Sequence, residues 1–316
     1  MTEIGSDLNK AISLLNAGEL VAIPTETVYG LAGNAVDEKA VTKIFSVKNR
    51  PQFDPLIVHV PGLEQIGRYV DDVPEKAIIL AKKFWPGPLT LVLKKKSIIP
   101  DLVTAGMDTV GIRCPNHKLT RELLVKLSFP LAAPSANPFG YVSPTTAQHV
   151  NGQLGEKISY ILDGGTCPVG IESTIIGFEE GDPVVYRLGG LSLEDIEATI
   201  GPVALRSHST SNPKAPGQLK SHYAPGKKVI LGNIEQLLKE YVEDETAVLS
   251  FSRNFNNRFQ FILSPSGQMD EAAQNLFTAL RTLDKMPVRI ILTELVPQSG
   301  LGRAINDRLR RAAAEG

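Results

Sequence analysis

The sequence has few of the residues that cross-link small secreted proteins or anchor chains in membranes. Among its 316 residues are two cysteines, Cys114 and Cys167, whose spacing fits neither a metal site nor a redox motif. A disulfide framework is therefore excluded, and two reduced thiols are predicted. The longest apolar runs fall far short of the roughly 20 residues that a membrane-spanning helix needs. The acidic start MTEIGSD also lacks the basic end of a signal peptide, so we predict a cytoplasmic protein without a membrane partner.

Several common nucleotide and metal motifs are also missing. There is no G-x-x-x-x-G-K-[ST] phosphate loop, and GLGRAI, which begins at Gly300, matches only two of the three glycines of a dinucleotide fingerprint. IESTI is not the G-x-S-x-G turn of a hydrolase. The five histidines show no zinc spacing. A metal site built by protein side chains is therefore not predicted.

Composition indicates an ordinary globular protein. Apolar residues make up 42% of the chain and charged residues 21%, and the length suits two domains. Residues 1–205 carry 18 Lys or Arg against 23 Asp or Glu, whereas residues 206–316 carry 15 against 11. Strong generic binding to nucleic acid is not predicted from these charges, although the C-terminal part could contact RNA weakly.

Short apolar runs alternate with helical periodicity along most of the chain, which predicts the α/β class. Strands expected near residues 160–163, 173–177 and 184–187 follow one another with only short turns, so the N-terminal sheet must be mixed. Residues 204–228 are rich in Ser, Pro, Gly, His and Lys and predict a linker. The predicted organisation is a large N-terminal domain (1–203), this linker, and a smaller parallel α/β domain of Rossmann-like type (229–316).

A cationic loop, KNRPQFDP, follows one predicted helix. Lys48 and Arg50 lie close together there, and Pro51 and Pro55 prevent regular structure around them. Two neighbouring cations suit phosphate oxygens, which favours an anion-binding loop. The alternative is a solvated surface loop in which Asp54 neutralises Arg50.

Two hydroxyl-rich segments, PTETVYGL and APSANPFGYVSPTT, each follow a predicted buried strand. Thr25 and Thr27 in the first could bind a ligand or cap the chain that follows. In the second, Pro144 and Thr145 predict a helix start with Ser143 at its N-cap. Free backbone N–H groups at such a start would bind an anion.

Two arginines occur at predicted strand ends, Arg113 in VGIRCP and Arg187 in VYRLGG. A bound carboxylate would satisfy either guanidinium, and so would an internal salt bridge, and the sequence leaves both possibilities open. His59, which alternates within LIVHV, is typical of a hydrogen-bonded strand histidine rather than a metal ligand.

Taken in order, PTETVYGL, KNRPxxxPL, APSANPFG, GIESTI and RLGG resemble the threonylcarbamoyl-adenylate synthases, the YrdC-like enzymes, over roughly residues 8–203. PGQLKSHYAPGKK and GLGRAINDRLRRAA resemble the two-domain form. The resemblance implies a YrdC-like N-terminal domain with a concave cleft and nucleotidyltransferase activity. L-Threonine, bicarbonate and ATP would give threonylcarbamoyl-AMP, pyrophosphate and water, the first step toward threonylcarbamoyladenosine in tRNA. It further implies Mg²⁺ with ATP, no other cofactor, and transfer of the product to a downstream tRNA-modifying complex.

The resemblance also implies roles for particular residues. Lys48 and Arg50 would neutralise ATP during catalysis. Further ATP-binding positions are Asp54, Thr109, Ser135, Asn137, Ser143, Arg187 and Tyr223. The L-threonine positions are Thr27, His59, Arg113, Ala133 and Ser173, with Arg113 clamping the carboxylate. Asp54 replaces the usual asparagine of the family and would repel triphosphate unless it pairs with Arg50 or reaches Mg²⁺. Tyr223 would reach over the nucleotide, which makes the linker a lid.

Two other functions fit some of these features. An RNA-binding module without catalysis could use the cationic loop to contact backbone phosphates, although the acidic N-terminal part weakens this hypothesis. A carbamoyl-phosphate-dependent transferase or hydrolase on the same fold is a more distant alternative.

Overall fold

The chain folds into two sheets flanked by helices in a computed structural model that describes residues 2–206, Pro216 and 223–314. The N-terminal strands are β1 (Glu3–Gly5), β2 (Val21–Ile23), β3 (Gly30–Asn34), β4 (Ile57–His59), β5 (Leu89–Lys94), β6 (Thr109–Arg113), β7 (Leu131–Ala132), β8 (Tyr160–Leu162), β9 (Thr174–Glu179), β10 (Asp182–Arg187) and β11 (Ala204–Leu205). The N-terminal helices are α1 (Leu8–Asn16), α2 (Glu38–Lys48), α3 (Glu75–Phe84), α4 (Asp101–Thr104), α5 (Lys118–Lys126), α6 (Ala147–Leu154) and α7 (Leu193–Ile200), with a 3-10 helix at Leu63–Arg68.

The C-terminal strands are β12 (Lys228–Leu231), β13 (Thr246–Ser250), β14 (Gln260–Ile262) and β15 (Ile290–Thr293). The helices there are α8 (Ile234–Glu240), α9 (Met269–Asp284) and α10 (Gly302–Ala313), with a 3-10 turn at Glu243–Glu245. Their four-stranded sheet has the order β12-β15-β13-β14, and each neighbouring pair is parallel. The predicted parallel C-terminal α/β domain is confirmed.

The large sheet is mixed, as the closely spaced strands predicted. Its order is β1-β8-β2-β3-β7-β4-β6-β5-β9-β10-β11. β9 and β10 form an antiparallel pair, whereas β5 runs parallel to β9 and β4 runs parallel to β6. Because β4, β6 and β7 are neighbours in the sheet, the loops that leave their ends lie close together. This arrangement brings the motif loops of the N-terminal part into one region.

The division into three segments stays a prediction, since most of the proposed linker, residues 207–215 and 217–222, lies outside the described residues. The part of the proposed linker that can be described consists of 204–206, Pro216 and 223–228. Ala204–Leu205 pair in parallel with β10, so the first linker residues extend the large sheet.

Helix α2 carries the cationic loop at its C-terminal end. Asp37 caps the start of the helix by accepting a hydrogen bond from the Lys39 N–H. The helix extends to Lys48, and Asn49 ends it in the left-handed conformation with φ 51°. Lys48 and Arg50 are therefore fixed at the end of a helix.

The two parts of the molecule share a close interface. One hydrophobic cluster includes Val142 of the N-terminal part and Phe277 of α9. A Cβ placed on Gly170 would lie 2.3 Å from the Cα of Gln274, so the two backbones approach as closely as glycine allows. Among the residues that the structure describes, no helix is both long and apolar enough to cross a membrane.

Candidate active site

A cavity lies where the motif loops meet. Ile57 of β4 forms part of its wall, and Pro216 lines it as well. The predicted site residues that line this central cavity are Arg50, His59, Arg113, Ala133, Ser135, Arg187 and Tyr223. The structure thus brings residues from six of the quoted sequence segments to one place.

Thr27 and Arg113 contact each other at one side of the central cavity. The Thr25–Val28 turn is held by the Thr25 hydroxyl, which donates to the Val28 carbonyl at 2.6 Å. Arg113 Nη2 donates to Thr27 Oγ1 at 2.9 Å and forms an ion pair with Glu26 Oε1 at 2.8 Å. Of the two alternatives for Arg113, the internal salt bridge is present, yet the side chain still lines the cavity.

His59 ends strand β4 and is buried in the wall of the central cavity. Burial, together with the nearby Arg113 guanidinium, lowers its pKa to about 3. The imidazole is therefore neutral near pH 7, and it can donate one hydrogen bond and accept another. A neutral imidazole next to a guanidinium suits a ligand with both hydroxyl and carboxylate groups.

Lys48 is buried but does not line the central cavity. Its ammonium donates to the main-chain carbonyls of Ser135 and Asn137. Lys48 therefore ties the end of α2 to residues 133–146, which we call the serine loop. Burial, reinforced by the Arg50 charge, holds its pKa well below the usual lysine value. The Asn137 amide supports the same loop by donating to the Pro138 and Tyr141 carbonyls, both at 2.8 Å.

Arg50 and Asp54 form an ion pair with 2.9 Å between Nη2 and Oδ2. Both side chains are at least 95% buried, so this pair is not the solvated one of the surface-loop hypothesis. Arg50 also donates to the carbonyls of Asp54 and Pro55, which fixes the guanidinium at the edge of the cavity. Asp54 would repel a bound triphosphate unless its charge were balanced, and the ion pair with Arg50 provides that balance.

The helix predicted to start at Pro144 begins three residues later, at Ala147, so that part of the prediction is wrong. Thr146 is the N-cap and accepts a hydrogen bond from the His149 N–H. Ser143 does not cap the helix, because its hydroxyl donates to the Glu172 carboxylate. The anion site expected from helix N–H groups beside Ser143 is therefore not formed by this helix start.

Ser173 and Arg187 meet at the ends of β9 and β10. Arg187 donates through Nε and Nη2 to the Ser173 carbonyl, at 3.1 and 3.0 Å, and through Nη1 to the Pro216 carbonyl. The Ser173 hydroxyl lies 2.8 Å from the Thr90 hydroxyl. Among the described residues, no carboxylate lies within ion-pair distance of Arg187, which leaves its positive charge available to an anion in the cavity.

Gly189, the first glycine of RLGG, packs against the backbone beside Ser173. A Cβ there would lie 2.3 Å from the Glu172 carbonyl oxygen and 2.4 Å from the Ser173 carbonyl carbon. These atoms belong to the main chain, which cannot move aside as easily as the end of a flexible side chain. We expect Gly189→Ala to lower the free energy of unfolding by about 1–3 kcal/mol, the typical cost of overpacking.

This expectation can be measured by urea denaturation followed through the fluorescence of Trp85, the one tryptophan of the sequence. Gly152→Ala is the control, because no atom lies within 4 Å of a Cβ at that helical position. Equal stability of Gly189→Ala and the parent protein would contradict the predicted overlap.

Thr109 does not line the central cavity. It starts β6 and lines a small adjoining pocket, which shares Ile57 and Pro216 with the central cavity. The two spaces are therefore neighbours along β4. A ligand with a long shape could place one end near Arg113 and another near Thr109.

Comparison with known proteins decides the family. A family model for Sua5, YciO and YrdC proteins, described as Telomere recombination, matches residues 13–189. The chain belongs to the Sua5/YciO/YrdC family. A second model, described as Threonylcarbamoyl-AMP synthase, C-terminal domain, matches residues 191–314. The predicted family resemblance in its two-domain form is thereby confirmed.

Relatives match over nearly the whole chain. Threonylcarbamoyl-AMP synthase of Pyrococcus abyssi is 43% identical, covering 96% of this chain and 93% of the relative. The Bacillus subtilis protein of the same name is 39% identical, covering 96% and 92%. The crystal structure of P. abyssi Sua5 complexed with L-threonine has a TM-score of 0.94, 41% identity and coverage of 99% of this chain and 98% of that one. These relatives favour the synthase over the RNA-binding alternative.

Sequence reasoning missed three charged residues around the cavity of this Sua5/YciO/YrdC chain. Glu172 lines the central cavity, and Glu26 pairs with Arg113. Arg308 of α10 is completely buried and pairs with Glu172 at 3.0 Å. Each lies inside a motif quoted above, so its place within a motif was the available signal.

Tyr223 connects this network to the C-terminal part. Its ring stacks on Phe277 with 5.7 Å between centroids, and the Arg308 guanidinium lies 4.8 Å from its centroid. Burial raises the pKa of Tyr223, while the Arg308 charge acts in the opposite direction. The aromatic side chain therefore sits between the central cavity and α9.

Proposed function

We propose that this protein is an ATP-dependent nucleotidyltransferase that makes L-threonylcarbamoyl-AMP from L-threonine, bicarbonate and ATP. Pyrophosphate and water are the other products. The observation that carries the proposal is the convergence of Arg50, Arg113 and Arg187 on one buried cavity. Full-length similarity to proteins named threonylcarbamoyl-AMP synthase supports it.

The reaction joins two anions, and the cavity has the charge to hold them together. The threonine amine attacks the carbon of bicarbonate and water leaves, which gives a carbamate. A carbamate oxygen then attacks the α-phosphorus of ATP while pyrophosphate leaves in line. Catalysis of this kind comes from positioning and from stabilising negative charge. In a buried site, guanidinium groups act through a lower dielectric than they would in water.

L-Threonine would bind at the Arg113 side of the cavity. Arg113 would hold its carboxylate, while Thr27 and neutral His59 would contact its polar groups. The backbone at Ala133 and the Ser173 hydroxyl complete the proposed threonine site. Ala133 N–H already donates to the Ile57 carbonyl at 3.0 Å, which fixes the β7 end against β4.

ATP would bind with its phosphates near Arg50 and Arg187 and its nucleoside toward Thr109. Arg187 supports this orientation, because it lies in the cavity without a carboxylate partner among the described residues. Lys48 and Asn137 would act by holding the Ser135 loop, and Ser143 by its bond to Glu172. Asp54 would balance Arg50, and Tyr223 would close one wall.

Mg²⁺ fits this site as a companion of ATP. In the described part of the chain, no group of three or more His, Cys, Asp or Glu residues could hold a metal ion. The ion would therefore be carried by phosphate oxygens and water, as is usual for Mg²⁺, and would neutralise phosphate charge. No cofactor beyond Mg²⁺ with ATP is part of the proposal.

The proposed cellular context follows from the product. A threonylcarbamoyl-adenylate is an activated acyl donor, so a tRNA-modifying transferase complex would consume it. We place the reaction in the cytoplasm and identify it as the first step of threonylcarbamoyladenosine formation in tRNA.

A coupled assay tests the function. Protein with MgATP, bicarbonate, L-threonine and pyrophosphatase should release phosphate and form an AMP-containing product, whereas omission of threonine or bicarbonate should abolish both. ATP turnover that is equal without threonine would contradict the proposal.

A further inference from the structure

Glu26 lies between two threonines in the turn that follows β2, and the reaction scheme above gives it no role. We propose that Glu26 is a positioning residue that fixes Arg113 in the orientation that binds the carboxylate of the amino-acid substrate. The inference rests on the proposed function, because it concerns the same threonine site.

The Glu26 carboxylate is fixed on both of its oxygens. Oε1 lies 2.8 Å from Arg113 Nη2, and Oε2 accepts a hydrogen bond from the Asn116 N–H at 3.0 Å. The side chains of Glu26 and Arg113 are each only 5% exposed. The main-chain carbonyl of Glu26 also accepts from the Val169 N–H at 2.8 Å. Residues 113–116 therefore hold the carboxylate, and Val169 holds the main chain of Glu26.

The guanidinium of Arg113 is held by a second contact, a hydrogen bond to Thr27, the residue after Glu26. Nη2 donates to Thr27 Oγ1 at 2.9 Å, and this oxygen lies 2.9 Å from Thr25 Oγ1. Since the Thr25 hydroxyl already donates to the Val28 carbonyl, Thr27 can donate to Thr25 and accept from Arg113. The ion pair with Glu26 and the hydrogen bond to Thr27 meet on one nitrogen and together hold the guanidinium in place.

The Nε atom of Arg113 has no such contact. Nε of Arg113 is buried and has no hydrogen-bond partner in the described part of the chain. A buried donor without a partner is unfavourable, and a ligand that accepts from it gains that energy. Arg113 lines the central cavity, so a substrate carboxylate is the acceptor that the site lacks.

Glu26 could instead compete with the substrate carboxylate for Arg113. Its location argues against this, because Glu26 does not line the central cavity whereas Arg113 does. The carboxylate is anchored behind Arg113 by the Asn116 N–H. Preorganisation of this kind improves binding by removing the entropy cost of ordering a long side chain.

The test measures three constants in the coupled assay for the parent protein and Glu26→Gln. These are the KM for L-threonine, the KM for ATP, and the inhibition constant of L-threoninol, which lacks the carboxylate. We expect Glu26→Gln to raise the threonine KM by about tenfold, as for loss of a charged hydrogen bond. The ATP KM and the threoninol constant should stay within about twofold of the parent values, since neither ligand uses the Arg113 clamp.

Each other result would overturn the inference. An unchanged threonine KM would mean that Glu26 does not position Arg113. A lower threonine KM would mean that Glu26 competes with the substrate carboxylate for Arg113. A parallel rise of all three constants would mean general damage to the fold. If the parent protein shows no threonine-dependent turnover, the proposed function itself fails, and the inference with it.

Two further variants complete the experiment. Glu194→Gln removes a Glu–Arg ion pair outside the cavity, the one with Arg303, and should leave all three constants unchanged. Glu26→Asp keeps the charge but shortens the side chain, so it serves if Glu26→Gln does not fold. It should raise the threonine KM by a smaller factor, and no change in that variant would also overturn the inference.

Discussion

Arg113→Ala should raise the KM for L-threonine by about a hundredfold or more, while the KM for ATP changes little. Removal of one partner of a buried, hydrogen-bonded charge pair typically costs about 2–5 kcal/mol in binding, which corresponds to this range. Arg113 lines the central cavity, and its two partners there, Glu26 and Thr27, belong to the turn that follows β2. Steady-state kinetics with each substrate varied in turn would measure the two constants.

Two further variants are needed to interpret Arg113→Ala. Arg113→Ala leaves the Glu26 carboxylate buried without a cation, so the double variant Arg113→Ala with Glu26→Gln removes that unpaired charge. The double variant should keep the high threonine KM. Arg121→Ala, an exposed arginine on α5, controls for loss of a guanidinium and should bind threonine normally. Normal threonine kinetics in both Arg113 variants would refute the clamp.

The second large effect concerns stability and α10. Arg308→Ala should lower the free energy of unfolding by about 3–5 kcal/mol, because it leaves Glu172 buried without its counter-charge. Arg308 is fully buried, and its Nη1 also pairs with Asp307 at 2.9 Å. Its guanidinium lies over the Tyr223 ring, so packing is lost together with charge.

Trp85 lies in the N-terminal part and Arg308 in the C-terminal part. Trp85 fluorescence therefore measures whether loss of Arg308 also destabilises the N-terminal part. Urea denaturation followed by Trp85 fluorescence should shift to lower urea in Arg308→Ala. The adjacent exposed Arg310 provides the control, and Arg310→Ala should change stability by less than about 0.5 kcal/mol. Equal midpoints for the two variants would show that Glu172 does not depend on Arg308.

Local sequence patterns predicted much of the fold, because helices and strands depend strongly on residues that are close together in the sequence. The closely spaced strands of residues 173–187 gave the antiparallel β9–β10 pair, and strand–helix alternation gave the parallel C-terminal sheet. Strand β3, Gly30–Asn34, was not predicted, since GLAGN has two glycines and no β-branched residue. It forms because it pairs with β2 and β7.

The candidate site could be predicted only in part, because its charge pairs join distant positions. Arg113 left two alternatives open in the sequence, and nothing local indicated that Glu26, 87 positions earlier, would pair with it. Ser143 has every property of an N-cap residue, yet the Glu172 carboxylate takes its hydroxyl. Family resemblance supplied the roles of the residues, which still await the kinetic tests.

Two buried arginines of the C-terminal part contact the N-terminal one, and this limits how the chain can be divided. Arg281 of α9 donates to the Ser143 carbonyl, and Arg308 of α10 neutralises Glu172. A truncated protein that ends near residue 203 would lose both cations while keeping the carboxylate and the serine loop. Such a fragment would be a poor starting point for engineering unless Glu172 were also replaced by a neutral residue.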